Sequence, residues 1–322
     1  MAITDYYCRG LINKIITTTP MSDGLNGLAV SISSMLPAGS SERLDFLGTI
    51  GPMREWFGAR QPMQPIEYNY TVKNRKFEVT TDLLLDWIKN DKTSNVMMTF
   101  SQLGQRMKQW RSKLIADLIN NGATGGSYLA YDGLSYFNAS HVYGVGQSIT
   151  INNVVPYVTG GGPSVMTPYE AAKAIVKGIQ AMLSFLDDRG EPINEDITAI
   201  AVVVPIVASS IQAASFYQAI SNPKLDTGSG SVDNPVFGLK QQISNLVLLP
   251  STRITGTAVY LVNITPNAMP FVFQENIGER LVTVKGAGSD YEHDADAWQY
   301  GLKTVGNAGY GRLSDAVQLL IS

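Results

Sequence analysis

Apolar residues along this chain fall into segments of different period, and each period predicts an element. Ile66, Tyr68, Tyr70 and Val72 alternate with Glu67, Asn69, Thr71 and Lys73, and Phe77 and Val79 alternate with Glu78 and Thr80. A period of two on both sides of Lys73-Asn74-Arg75-Lys76 predicts a β-hairpin with a basic tip, lengthened by residues 53–64. From about residue 95 to 121 the apolar positions are Val96, Phe100, Leu103, Met107, Trp110, Leu114 and Leu118, always three or four apart. That spacing predicts one amphipathic helix of roughly 40 Å, closed by Asn121-Gly122.

Residues 1–47 alternate short apolar and polar clusters without a sustained period, which predicts an extended arm with a short helix, packed on this subunit's body or on a neighbour's. Gly-rich breaks at 120–126 and 158–164 mark a border. Thr167-Pro168-Tyr169-Glu170 reads as a capping box with proline at the first helical position, opening a helix that runs to about 186. Residues 197–204 are a nearly all-apolar strand covered on both faces, and Pro205 is expected to open a second helix toward Ile220. A long mobile loop is expected at 221–238, then strands at 243–249, 257–264, 269–274 and 280–285 and a final segment at 298–310.

Composition narrows the function. At 322 residues the chain is long enough for about two domains. Only 16 % of residues are charged, against roughly a quarter in an ordinary soluble domain. A net charge of −3 excludes a protein whose main task is gripping nucleic acid, because neutralising phosphates takes an excess of Lys and Arg. Cys8 is the sole cysteine, so an internal disulfide and a thiolate metal cluster are both excluded, which fits a reducing cytoplasm. Asp5 interrupts the N-terminus before an apolar stretch develops, so no secretory signal is expected, and no apolar run is long enough for a bilayer span.

Chemistry-bearing clusters are few. His141 and His293 are the only imidazoles, and G-x-S-x-G, Walker A and a complete G-x-G-x-x-G are all absent. Asp290, Glu292, Asp294 and Asp296 sit two apart, so a strand would place four carboxylates on one face beside His293; a solvated acidic loop is the plainer reading. No catalytic residue, metal ligand or cofactor is assigned. Arg106, Lys108, Arg111 and Lys113 on the long helix read as a solvated face, or as candidates for weak, sequence-blind contact with DNA phosphates.

Four ordered segments carry a resemblance. They are residues 46–60 (Phe46-Leu47-Gly48, then Met53-Arg54-Glu55-Trp56-Phe57-Gly58-Ala59-Arg60) continuing into 70–86; Tyr131-Asp132-Gly133-Leu134-Ser135-Tyr136-Phe137-Asn138-Ala139-Ser140-His141; Val202-Val203-Val204-Pro205; and residues 270–274 with Tyr300-Gly301 and residues 306–311. Together they resemble the major head subunit family of Mu-like transposable phages, whose members adopt the HK97-type capsid fold. The resemblance implies an α+β architecture: an N-terminal arm (1–47), an extended β-hairpin loop (48–81), a peripheral domain with the spine helix at about 95–121 (82–157), an axial α/β domain (158–264), and return strands of the peripheral domain with the C-terminus (265–322).

Function follows as an expectation: a non-enzymatic major capsid protein of a tailed bacteriophage, assembled in the bacterial host cytoplasm as pentamers and hexamers into an icosahedral shell. The shell would enclose double-stranded DNA through weak, non-specific contacts. The family implies a separate scaffold protein, since no fused scaffolding domain fits before the loop, together with a maturation protease and a portal protein, and no membrane. The expected inter-subunit contacts on the extended loop are Arg54, Trp56, Phe57, Arg60, Tyr68, Tyr70, Lys73, Arg75 and Lys76, because an isolated two-stranded ribbon this aromatic is marginal in water without a partner surface. The alternatives are an encapsulin-like compartment of the same fold and, more distantly, a metal-dependent enzyme built on residues 290–296.

Overall fold

The computed structural model describes residues 4–19, 24–33, 41–47, 67–90, 93–126, 128–143, 149–187, 190–206, 213–227, 229–240 and 242–322. Thr4 accepts from the Tyr7 amide and caps α1 (Asp5–Thr18), whose Cys8 and Ile12 are buried. Then come β1 (Ala29–Ser33), β2 (Ser41–Leu47), β3 (Glu67–Lys73), β4 (Arg75–Leu84), the short α2 (Leu85–Lys89) and the spine helix α3 (Thr93–Asn121). At 29 residues the spine spans about 43 Å. Its predicted stripe is buried at Val96, Phe100, Leu103, Met107, Leu114 and Leu118.

The chain continues through β5 (His141–Tyr143), β6 (Ile149–Ile151) and β7 (Val154–Tyr157) to α4 (Pro168–Leu183). Both halves of the predicted capping box form: the Thr167 hydroxyl accepts from the Glu170 amide, and the Glu170 carboxylate accepts from the Thr167 amide. There follow β8 (Ala199–Pro205), α5 (Ala213–Ser221), β9 (Lys224–Asp226), β10 (Ser231–Asp233), α6 (Pro235–Leu239), β11 (Asn245–Ser251), β12 (Ala258–Asn263), β13 (Phe271–Lys285), α7 (Asp290–Ala295), β14 (Ala297–Tyr310) and β15 (Ala316–Ile321).

Two sheets organise these elements. The first has the order β1-β13-β14-β4 and the second β11-β8-β12-β15-β7. The second sheet is buried on both faces. Ile200, Val202 and Val204 of β8 pack with α4 and α5, while Ala201 and Val203 join a second core with Leu114, Ile115 and Leu118 of the spine. A third core holds Cys8 and Ile12 of α1 against Phe100 and Leu103 of the spine and Tyr300 of β14.

Several expectations are corrected. The strands predicted around Lys73–Lys76 exist, but they do not pair with each other: β3 pairs antiparallel with β2, and β4 with β14. Alternation fixes the face a strand buries, not its partner, and Asn74 between them is buried rather than at a turn. Of the two surfaces expected for the leading segment, its described part takes the one on its own subunit. α1 packs on the spine, where a side chain at Gly104 would run into Ile15, and β1 extends the first sheet beside β13. Pro205 ends β8 instead of opening a helix, and the expected loop at 221–238 contains the β9–β10 pair and α6, anchored by buried Leu225 and Val236. Finally, β7 and β15, which fall in segments expected to be peripheral, share the second sheet with β8, β11 and β12, which fall in the segment expected to be axial.

Candidate assembly interface

The ribbon β2–β3 is a separate two-stranded sheet, paired from Ser41↔Lys73 to Leu47↔Glu67. Its root is gripped from two strands of the first sheet. Asn307 of β14 donates from Nδ2 to the Lys73 carbonyl at 3.0 Å, and Gln274 of β13 donates from Nε2 to Asn74 Oδ1 at 2.8 Å. Asn307 and Gln274 are themselves cross-strand partners. Val72 is buried against Gly309, and Tyr70 lies on the same glycine, its hydroxyl 3.4 Å from the Tyr310 amide.

The expected contact residues divide accordingly. Arg54, Trp56, Phe57 and Arg60 lie outside the described residues, as does the side chain of Tyr68. Tyr70 is taken up by its own subunit, and burial raises its phenol above the usual range. Lys73, Arg75 and Lys76 are exposed, with Arg75 over the Phe77 ring at 5.4 Å. Lys73 and Arg75 border a polar cleft of about 280 Å³ between the ribbon root, the spine and β14, lined also by Asp117, Tyr128 and Asn307.

The basic set on the spine also divides. Arg106 and Lys113 are seven residues apart, so they share a face, and both are exposed. Arg111 follows Met107 by four and precedes Leu114 by three, which places it on the apolar stripe. It donates to Glu275 of β13 at 2.7 Å and stacks over Phe273, so its charge is engaged within its own subunit. The acid that neutralises it comes from an element 164 residues away.

The metal-dependent alternative loses the strand geometry it was built on. Residues 290–295 form a helical turn instead of a strand, so the four carboxylates do not line one face. Glu292 accepts from the Gly288 amide and from Trp298 Nε1, hydrogen bonds that hold its carboxyl below the usual range. Among the described residues no three His, Cys, Asp or Glu stand together as a metal ion would need. His141 is fully buried, with Nδ1 2.5 Å from Asp132 Oδ2 and Nε2 3.0 Å from the Tyr136 carbonyl. Tyr136 in turn lies 2.9 Å from the carbonyls of Pro270 and Arg312 and stacks on Tyr310 at 4.5 Å, while the Tyr310 hydroxyl donates to the Leu118 carbonyl. The Tyr131–His141 motif is therefore a staple between the spine and both sheets. Among the described residues no helix is long and apolar enough to cross a membrane.

Sequence reasoning missed the root residues Asn74, Gln274, Asn307 and Gly309. One signal was available, since a glycine inside a strand marks a close approach of another segment.

Residues 22–176 match the family described as Mu-like prophage major head subunit gpT. The major capsid protein of Escherichia phage Mu is 27 % identical over 120 residues, a stretch taking up 36 % of this chain and 38 % of that protein. Among solved structures, the capsid of cyanophage P-SCSP1u superposes with a TM-score of 0.58 at 10 % identity, over 95 % of this chain and 90 % of that one. A virus-like particle from Pyrococcus furiosus gives 0.53 at 10 % identity, over 98 % of each chain. At these identities the structural likenesses speak for the fold, which is that of HK97-type capsids.

Proposed function

We propose that this chain, whose residues 22–176 match the Mu-like prophage major head subunit family, is a member of that family and the major capsid protein of a tailed bacteriophage. Copies assemble as pentamers and hexamers into an icosahedral shell around double-stranded DNA, and the chain catalyses no reaction. The observation that carries this reading is the β2–β3 ribbon, paired with neither main sheet of its own subunit and flanked by exposed Lys73, Arg75 and Lys76. A two-stranded ribbon is marginal in water by itself, so a neighbouring copy is its natural cover. Apolar area buried across many such contacts, at about 25 cal/mol per Å² before association costs, supplies the driving force.

A separate scaffold protein, a maturation protease and a portal protein are the partners this reading calls for, with assembly in the host cytoplasm. Arg106 and Lys113 are the spine residues placed for weak contact with DNA phosphates, which at two charges per subunit would be sequence-blind and weakened by salt. The test is electron microscopy of particles formed by the chain co-expressed with its scaffold: closed shells are expected, and small oligomers under every condition would overturn the reading. The likeness to a virus-like particle supports a second container reading, an encapsulin-like shell with a cargo other than a genome. Absence of nucleic acid from native particles would favour that one.

A further inference from the structure

The ribbon root has no flexible joint. From Glu67 to Leu84 the chain holds no glycine or proline, and Asn74 alone separates β3 from β4. The ribbon's direction must therefore be dictated by what its root packs against. That surface is Gly309. A Cβ there would stand 2.7 Å from Val72 Cγ2 and 2.8 Å from Tyr70 Cε1, closer than side chains approach. Gly309 is absent from the positive-φ glycines and pairs regularly with Val272 inside β14. Its backbone suits any residue, so what it contributes is space.

We propose that Gly309 is a positioning residue that sets the take-off angle of the β2–β3 ribbon and, through it, the curvature of the assembly. Asn74 is the pivot, pinned by Gln274, while Val72 and Tyr70 lean into the notch two and four residues away. Relieving a Cβ clash moves them by about 1 Å at a lever of roughly 7 Å from the pivot, a rotation of roughly 8°. Seven residues of β3 reach about 23 Å, so the far end of the strand shifts by about 3 Å. Neighbouring copies contacted by that end would be rotated by the same angle, which alters the diameter at which a shell closes. The curvature step rests on the shell reading above; the take-off geometry does not.

The two parts are tested separately. Spin labels on Asn69→Cys in the ribbon and Lys113→Cys on the spine, with the buried Cys8 left in place, report the take-off angle in the unassembled full chain. Asn69 is five residues from the pivot, so Gly309→Ala should move its label by about 2 Å, and Val72→Ala, which opens the notch instead of filling it, should broaden the distribution. Gly309→Ala combined with Val72→Ala should return the distance toward wild type. In shells assembled with scaffold, Gly309→Ala should change the mean diameter or lose its uniformity while the melting transition of the subunit stays cooperative. Unchanged label distances in both single variants would overturn the positioning role, whether or not shells form. Shifted distances with wild-type diameters would overturn the link to curvature. Failure of the wild-type chain to form shells would count against the shell reading and leave the angle measurement standing.

Discussion

Arg111, midway along the spine helix, donates to Glu275 of β13 at 2.7 Å and lays its guanidinium 4.5 Å from the centre of the Phe273 ring. Its side chain is 13 % exposed and that of Glu275 29 %, so the pair is shielded but not dry. Removing one partner leaves the other charge poorly solvated, a larger cost than the net worth of the pair. Arg111→Ala is expected to cost about 2–3 kcal/mol after allowance for that exposure, measured by urea unfolding of the unassembled subunit. Arg106→Ala and Lys113→Ala, on the solvated side, should each stay within about 0.5 kcal/mol. Equal costs at all three positions would contradict the division.

His141 has an acceptor at each ring nitrogen, Asp132 on one side and the Tyr136 carbonyl on the other. Replacing it with alanine opens a cavity and removes the imidazole that bridges the Asp132 carboxylate and the Tyr136 carbonyl, which also accepts from Asn153. A loss of about 3 kcal/mol is expected, seen as a lower melting temperature. Asp132→Asn keeps the volume and should cost less than His141→Ala. A neutral His141→Ala would mean that the staple contributes nothing to stability.

Elements with strong local periodicity are legible in the sequence alone. The spine follows from a stripe of three- and four-residue steps, and the α4 start from the reciprocal hydrogen bonds that Thr167 and Glu170 can make. What escapes is partnership between distant segments. β3 and β4 share a period of two, and nothing in Lys73–Lys76 says that one strand pairs back to residues 41–47 and the other with residues 297–306. Arg111 reads as solvated because its acid sits on β13, although its spacing from Met107 and Leu114 already places it on the buried stripe. The acidic run misleads for a related reason: strand and helix arrange the same four carboxylates differently, and seven residues hold too little periodicity to choose.

The α4 cap makes a local prediction. Thr167 and Glu170 satisfy each other's backbone donors, and Glu170 also accepts from the Gly160 amide at 2.9 Å. Burial opposes the Glu170 charge, but those hydrogen bonds and Lys173 outweigh it and leave the carboxyl below its usual range. Thr167→Ala should cost about 1 kcal/mol in equilibrium unfolding. Glu170→Gln, which retains one acceptor, should cost less at neutral pH. Because the folded state depresses this group, its contribution is present above the ordinary carboxylate range and fades as pH falls through the folded value.

Asp315 makes the opposite pH prediction. It is 3 % exposed, between β14 and β15, and burial pushes its carboxyl upward against the pull of the Met269 amide, Arg312 and Asn263. A raised folded value means that the native state holds the proton where the unfolded chain has released it. Its contribution to stability is therefore complete below the ordinary value of about 3.9 and is lost as pH rises through the folded value. Asp315→Asn removes the titration while retaining an oxygen for the Met269 amide, which Asp315 Oδ2 accepts at 2.7 Å. Subtracting the variant's unfolding free energy from that of wild type across the acid range should isolate a term that falls with rising pH, since the carboxamide of the variant contributes the same at every pH. A difference that is flat, or that rises with pH, would show that Asp315 is charged at no cost in the folded protein and that the Met269 and Asn263 hydrogen bonds fully compensate its burial.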